Sequence, residues 1–482
     1  VAVSIDPAVS GGGVTGRLIV AISDARGRAE PRERIGEVVG GPRLLLARDV
    51  DGVAADEPIV VDGGADHFPP EGLKGFQAGE YRVQAVLKRN PDLNLLNAPG
   101  DLYSEVVTVR VDPAAPEPVA ITLDRAEPEE TLPEDTEWVR YLKLPSAKLS
   151  AFHGRPMFVR VAVALPRGFD AEPDRRYPTW VQVGGYGARF TGLGHRFDAR
   201  SPYLRLWTAE ETPRFLVVHL DGAGPLGDPY QVNSANHGPY GDALIEEVLP
   251  EVERRFRGNG RRVVSGVSTG GWVSLALQIL YPDEFDGCWS AAADPVDFRR
   301  FQLVNVYEDE NAFVGPDGVE RPSCRDPRTG RARYSIRREV ALEGLMGRGG
   351  RWELSGGQWG AWNATFGPRG EDGAPVAVWD GRTGAIDRSV VDSWREHDLR
   401  LYVERNWATL GPKLRGKVHI WMGDRDDYYL NEAMRLFADA VAKLDPPADF
   451  SITFMPGRGH TGPDISENEI LRRMAEAVGA VP

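Results

Sequence analysis

From about residue 15 to residue 125 the hydrophobic positions come in short runs bounded by Gly, Pro or Asp. GRLIVAIS (16–23), PIVVD (58–62), EYRVQAVLKR (80–89), SEVVTVRVD (104–112) and PVAITL (118–123) are rich in β-branched residues and carry no helical period. SEVVTVRVD alternates apolar and polar positions after its valine pair, as a strand with one wet face does. The pattern predicts an antiparallel, Ig-like β-sandwich over residues 1–125, an accessory domain. Residues 126–150 carry three prolines and a dense cluster of acids, and read as a linker or strap with solvated carboxylates.

From residue 151 the rhythm changes. MFVRVAVALP (157–166), TWVQVGG (179–185), RFLVVHLD (214–221), RRVVSGVS (261–268), DGCWSAAAD (286–294), KVHIWMGD (417–424) and FSITFMPG (450–457) are strands. Several are apolar almost throughout, the mark of a sheet covered on both faces. Helical repeats lie between them, at 240–256 (with an internal proline that predicts a kink), 272–280, 431–444 and 466–481. Ser466 and Glu469 hold the capping-box positions of the last helix. Strands alternating with helices predict a doubly wound α/β sheet over 151–482. Its regular rhythm is broken by a long insertion, 298–414, far longer than a crossover requires. That insertion leaves from the carboxyl end of a core strand, where open α/β sheets bind ligands, and is expected to form a lid or pocket wall.

At 482 residues the chain is long for one core and fits at least two domains. With 71 acidic and 57 basic residues the net charge is −14, and no concentrated basic patch offsets it, so nucleic acid is not an expected partner. No apolar run reaches the length of a membrane span. The chain starts at Val1 rather than Met; a periplasmic or secreted location with its leader removed and a cytoplasmic one both fit, and a homo-oligomer is open. The two cysteines, Cys288 and Cys324, are too few for a four-thiolate metal site; one disulfide or two buried thiols remain open.

The chemistry concentrates at RRVVSGVSTGGWVSLALQIL (261–280). A strand, a tight turn and an apolar helix with glycines two before and two after a serine make a nucleophile elbow, which lifts the Ser268 hydroxyl above the sheet. The Thr269 N–H then faces the oxygen of an attacked carbonyl, and a second donor is expected from Gly185 or Tyr186 in the loop after TWVQV. The order along the chain in such sheets is serine, acid, histidine. His460, in the glycine-rich loop after the last strand, is the expected base, whereas His419 is mid-strand and reads as packing. The acid falls among Asp424, Asp426 and Asp427, with Asp426 preferred; Asp294 and Asp297 end the preceding strand and are geometric outsiders. Trp352, Trp359 and Trp362 in the insertion read either as a stacking wall for a sugar or aryl group or as core; Arg351 and Arg369 read as solvated. His237 reads as structural or pocket-lining. There is no phosphate-binding loop and no H-E-x-x-H helix, and the acids at 424–427 lack an apposed ligand set, so neither a metal nor another cofactor is expected.

Four segments carry a resemblance: LPRGFDAEPDRRYPTWVQVGG, YGDALIEEVLPEVERRFR, SGVSTGGWVSLALQILYPDEFDG and GRGH. They resemble the Putative esterase family of α/β-hydrolases, which includes esterase D-like enzymes, feruloyl esterases and the mycolyl-transferring antigens. The likeness covers about 155–300 and 415–482. It looks closest to a bacterial subgroup with an N-terminal β domain, sharing an insertion like SGGQWGAWNATFGPRGEDG and an acid loop like GDRDDYYLN. The resemblance implies an α/β-hydrolase fold and assigns nucleophile, acid and base to Ser268, Asp426 and His460. One departure is that the usual His-Gly pair of the first oxyanion loop stands here as Val183-Gly184. The expected activity is serine-dependent hydrolysis of a small-molecule carboxylic ester, carbohydrate-linked or aryl, through an acyl-enzyme. An acyltransferase or serine peptidase using the same residues, and a binding protein with a vestigial triad, are the alternatives.

Overall fold

The apolar runs of the second half assemble one eight-stranded sheet. Its order is Val139–Ser146, Met157–Ala164, Leu216–Leu220, Tyr177–Val183, Gly258–Val267, Cys288–Ala291, Val418–Gly423 and Phe450–Met455. The computed structural model describes residues 1–54, 57–72, 76–112, 114–115 and 117–481. The first two pairings are antiparallel and the other five parallel. Parallel neighbours need crossovers, and the crossover helices cover both faces. Alternate residues of each strand accordingly enter different cores. Val161 and Val163 join Trp272, Leu410 and Phe437 on one side; Ala162 and Ala164 join Phe197, Trp207 and Met474 on the other.

Three expectations about the helices and the strap change. The segment read as a linker ends early, because Val139–Ser146 is already the edge strand of the sheet. Pro145 and the acids before it disguise the alternation; a proline is tolerated there because an edge strand has one unpaired side. The strap's acids are not all solvated, since Glu130 is paired with both Arg160 and Arg189. In the helix before the elbow, Pro250 does not kink a regular helix. It follows a π-helical turn at Leu244–Val248 and opens the helix Leu249–Phe256, where a missing N–H is least costly.

The N-terminal strands are connected into one nine-stranded sheet, with Gly79–Lys88 sharing one edge between Leu102–Ser104 and Val107–Val111. Pairing is antiparallel apart from Ala2–Ile5 against Ala120–Ala126, which is parallel. Leu18, Val20, Ile22, Val83 and Leu87 fill one side. The opposite side is not wet. Ile19, Ala21, Leu45, Ala47 and Val86 pack on Leu342, Leu345 and Met346 of the insertion helix Ile336–Met346. Arg17, 4% exposed, closes the same junction; its Nε donates to the Leu345 carbonyl at 2.9 Å and its guanidinium pairs with Asp49 and Asp66.

The insertion therefore packs into the cores beside both sheets. Trp352 stacks on Trp379, and Trp359, Trp362, Phe301, Phe366 and Trp394 meet mostly edge to face beside the sheet. Cys288 lies in the sheet and Cys324 in the hairpin Pro322–Ser335; both are buried free thiols, and burial pushes Cys288 up to about 12. Among the described residues no helix is long and apolar enough to cross a membrane.

Leu345 is 2% exposed between the insertion and the N-terminal sheet. Leu345→Ala is expected to lower stability by about 2–5 kcal/mol, read from urea denaturation; a change below about 0.5 kcal/mol would mean that this junction contributes little.

Candidate active site

Ser268 stands between the strand Gly258–Val267 and the buried helix Thr269–Leu280. Its backbone has φ 64° and ψ −126°, a region that non-glycine residues rarely occupy. Such a conformation costs on the order of 1–3 kcal/mol and persists only where neighbours over-determine it. Here they do. A Cβ on Gly266 would stand 2.2 Å from the Gly270 carbonyl oxygen, and one on Gly270 would stand 2.2 Å from the Val183 oxygen. The two glycines are thus required by backbone packing against backbone. Ser268 N–H donates to the Ala291 carbonyl at 3.0 Å and its own carbonyl accepts from Trp272 at 3.1 Å. The Ser268 hydroxyl does not cap the helix, so it is left available to the cavity it lines.

His460 hangs from the loop after Phe450–Met455, and three acids at the end of the adjacent strand fix it, each in a different way. Asp426, fully buried, accepts from His460 Nδ1 at 2.7 Å. Asp427 accepts from the His460 backbone N–H at 2.7 Å, and Asp424 from that of Gly457 at 2.7 Å. The two loops meet backbone to backbone: a Cβ on Gly423 would lie 2.1 Å from the Gly459 carbonyl oxygen. Asp426 is held in turn by the Tyr428 N–H (2.9 Å) at its Oδ1, and by Arg325 of the insertion, whose Nε donates to its carbonyl at 2.9 Å. Burial opposes charge on His460, but the hydrogen bond and charge of Asp426 outweigh it, with Asp294 and Asp427 adding, and its pKa is raised above 6.5.

Ser268 and His460 line one cavity of about 560 Å³, together with Tyr186, Asp294, Trp362 and Tyr428. Among the described residues no hydrogen bond yet joins the serine hydroxyl to the imidazole; catalytic hydrogen bonds are often loose in unliganded sites. Thr269 is buried at the helix N-terminus. Of the two expected second donors, Tyr186 lines the cavity, its hydroxyl bonded to the Gly356 carbonyl, while Gly185 lies beside Ser268, where an added Cβ would be 3.8 Å from the serine Cβ.

Among the expected substrate residues, only Trp362 reaches this cavity. Trp352 and Trp359 are core, stacked on Trp379 and bonded to Glu339 at 2.9 Å respectively. His237 lines a separate cavity of about 90 Å³ beside His153. Arg351 is paired with Glu353 and Asp372.

Several cavity residues escape sequence reasoning. Asp294 stands buried beneath the elbow and accepts from Tyr230 Oη (2.6 Å), Thr269 Oγ1 (2.9 Å) and Trp362 Nε1 (3.2 Å) on one oxygen; burial raises its pKa. Asp228 accepts from the Gly187 and Tyr230 N–H groups, and burial pushes it up to about 7. Glu339 and Glu343 come from the insertion, and Lys88 and Asn94 from the N-terminal part of the chain. In the sequence Asp228 and Asp294 each stand before a proline, and Glu339 and Glu343 lie in REV and LEG of a helical stretch, patterns no different from an ordinary turn or helix face.

A mostly parallel sheet with helices on both faces is the α/β-hydrolase fold, and here it carries a serine on a strained strand-to-helix turn and a histidine after its last strand. The chain belongs to the Putative esterase family, a family of ester hydrolases whose model matches residues 154–458. No curated protein matches. Among solved structures the chain is similar to a ferulic acid esterase (17% identity, 71% of this chain and 97% of that one, TM-score 0.42). It is also similar to an S-formylglutathione hydrolase from Agrobacterium tumefaciens (15%, 72% and 98%, TM-score 0.37). A third is the fluorophosphonate-binding serine hydrolase F of Staphylococcus aureus (15%, 70% and 98%, TM-score 0.38).

His460 is expected to titrate above 6.5 by imidazole proton NMR. In Asp426→Asn, burial and the charges of Asp294 and Asp427 remain while the largest charge raising it is gone, so the titration should fall relative to the wild type. An unchanged titration would mean that Asp426 does not set the charge of this imidazole.

Proposed function

We propose that the protein is a serine carboxylic ester hydrolase working through an acyl-enzyme. The observation that carries this reading is one cavity wall holding both a serine at a strained elbow, its hydroxyl unused by the helix, and an imidazole whose far nitrogen is fixed by a buried carboxylate. Asp426 holds the tautomer with the proton on Nδ1, which leaves Nε2 to accept the Ser268 proton. The alkoxide oxygen attacks the ester carbonyl, and Asp426 stabilises the imidazolium that forms. His460 then protonates the leaving alcohol and activates a water that hydrolyses the acyl-enzyme. The N–H of Thr269, with that of Tyr186 or Gly185, would receive the oxyanion; losing one such donor costs about 3 kcal/mol of transition-state stabilisation.

Trp362, Tyr186 and Tyr428 give the cavity aromatic walls suited to an aryl or sugar-linked ester. We read the N-terminal sheet, a sandwich-type domain, as a structural part of this site, since Asn94 N–H donates to the Gly224 carbonyl at 2.8 Å and Asn94 Nδ2 to that of Leu354 at 3.0 Å. The insertion supplies the opposite wall.

Ser268→Ala is expected to lower kcat on short 4-nitrophenyl esters on the order of 10⁴-fold or more. In the wild type, kcat/KM should rise with pH through the raised His460 pKa, because only the neutral imidazole accepts the proton. Turnover surviving in Ser268→Ala would remove the serine from the mechanism.

A further inference from the structure

Lys88 is the last residue of the N-terminal strand Gly79–Lys88, yet its side chain lines the cavity shared by Ser268 and His460. Its ammonium donates to Asn94 Oδ1 at 3.0 Å, within its own domain, and to the Ser355 carbonyl of the insertion at 3.3 Å. Both acceptors are neutral. An ammonium has three donors, so one is left over, and among the described residues no carboxylate lies within ion-pair distance of it. Burial lowers Lys88 to about 8, against the charge of Asp101 and with that of Arg17. Arg17, at the same junction, is by contrast matched by two carboxylates. Holding a half-buried ammonium without a counter-charge is costly, and a binding partner that supplies the charge recovers the cost.

The acids of the cavity do not supply it, because each is committed to the wall. Asp228 gives one oxygen to Gly187 N–H and the other to Tyr230 N–H. Glu343 accepts from Trp359 N–H, Ser355 Oγ and Gly360 N–H, and burial pushes it up to about 8. Glu339 holds Ser323 and Trp359, and Asp294 holds Tyr230, Thr269 and Trp362. Apart from His460, Lys88 is the cationic side chain among the cavity's lining residues.

We propose that Lys88 receives an anionic group, a carboxylate, carried by the ester substrate. This rests on the hydrolase reading and narrows it: the N-terminal domain would act as the specificity wall, selecting an ester with a free acid on its acyl or its alcohol part.

Two matched series separate the sources. On the alcohol side, butyrate esters of 3-hydroxybenzoate, 3-hydroxybenzamide and 3-hydroxyphenyl-trimethylammonium are compared. On the acyl side, 4-nitrophenyl monoesters of adipic and adipamic acids are compared. The expected result is that in at least one series the wild type favours the carboxylate over the carboxamide by about tenfold in kcat/KM, the scale of a charge-assisted hydrogen bond. That ratio should collapse toward one in Lys88→Met and be kept in part by Lys88→Arg. Preference for the carboxamide or the trimethylammonium ester in the wild type, which needs no variant to fold, would overturn the proposal, as would a ratio unchanged in Lys88→Met. Failure of the wild type to turn over any of the five esters would remove the hydrolase reading, and this inference with it.

Discussion

At the elbow, the backbone of Gly270 lies against the carbonyl oxygens of Val183 and Gly184 with no room for a side chain. That contact ties the turn after one central strand to the end of its neighbour, so the serine between them has no freedom to relax from φ 64°. The helix beginning at Thr269 is buried on nearly every side, which prevents the strain from being relieved by tilting the helix. A second contact of the same kind, Gly423 against the Gly459 carbonyl, fixes the histidine loop to the acid loop. The site is thus placed by main chain packed on main chain, and side-chain hydrogen bonds refine it. Groups positioned this way need little reorganisation during reaction, which is where most electrostatic catalysis originates.

Three parts of the chain meet at the cavity. The sheet supplies the serine and histidine, the insertion supplies Arg325 behind Asp426, and the N-terminal part of the chain supplies Asn94 and Lys88. The Gly356 loop joins all three. Its carbonyl accepts from Tyr186 Oη, and a Cβ on Gly356 would lie 2.5 Å from the Asn94 carbonyl oxygen. Because the helix Ile336–Met346 is buried against the N-terminal sheet, movement of that sheet would disturb the cavity wall rather than leave it untouched.

The elbow was legible in the sequence because its glycines, its serine and its two flanking elements are consecutive. The His460 loop was legible because it follows the last apolar strand. The choice of Asp426 among three acids rested on a distance past the strand, and the structure brings that residue to Nδ1. What stayed hidden depends on contacts distant in the chain. Val139–Ser146 is a strand because Met157–Ala164 pairs with it, not because its proline-containing pattern demands one. Trp352 and Trp359 read equally as wall or core, and the packing of Trp379, face to face on the first and edge to face on the second, makes them core. Lys88 ends an ordinary strand; only the docking of that sheet onto the insertion turns it toward the cavity.

The central claim is that Ser268 is the attacking group and that His460 and the elbow amide surround it. A crystal structure of the protein after reaction with a small fluorophosphonate tests this most directly. The account expects phosphorus bonded to Ser268 Oγ, the phosphoryl oxygen within hydrogen-bond distance of the Thr269 N–H, and the His460 ring still bonded to Asp426. Phosphorus on another residue, or on Ser268 with the phosphoryl oxygen facing away from the Thr269 amide, would contradict it.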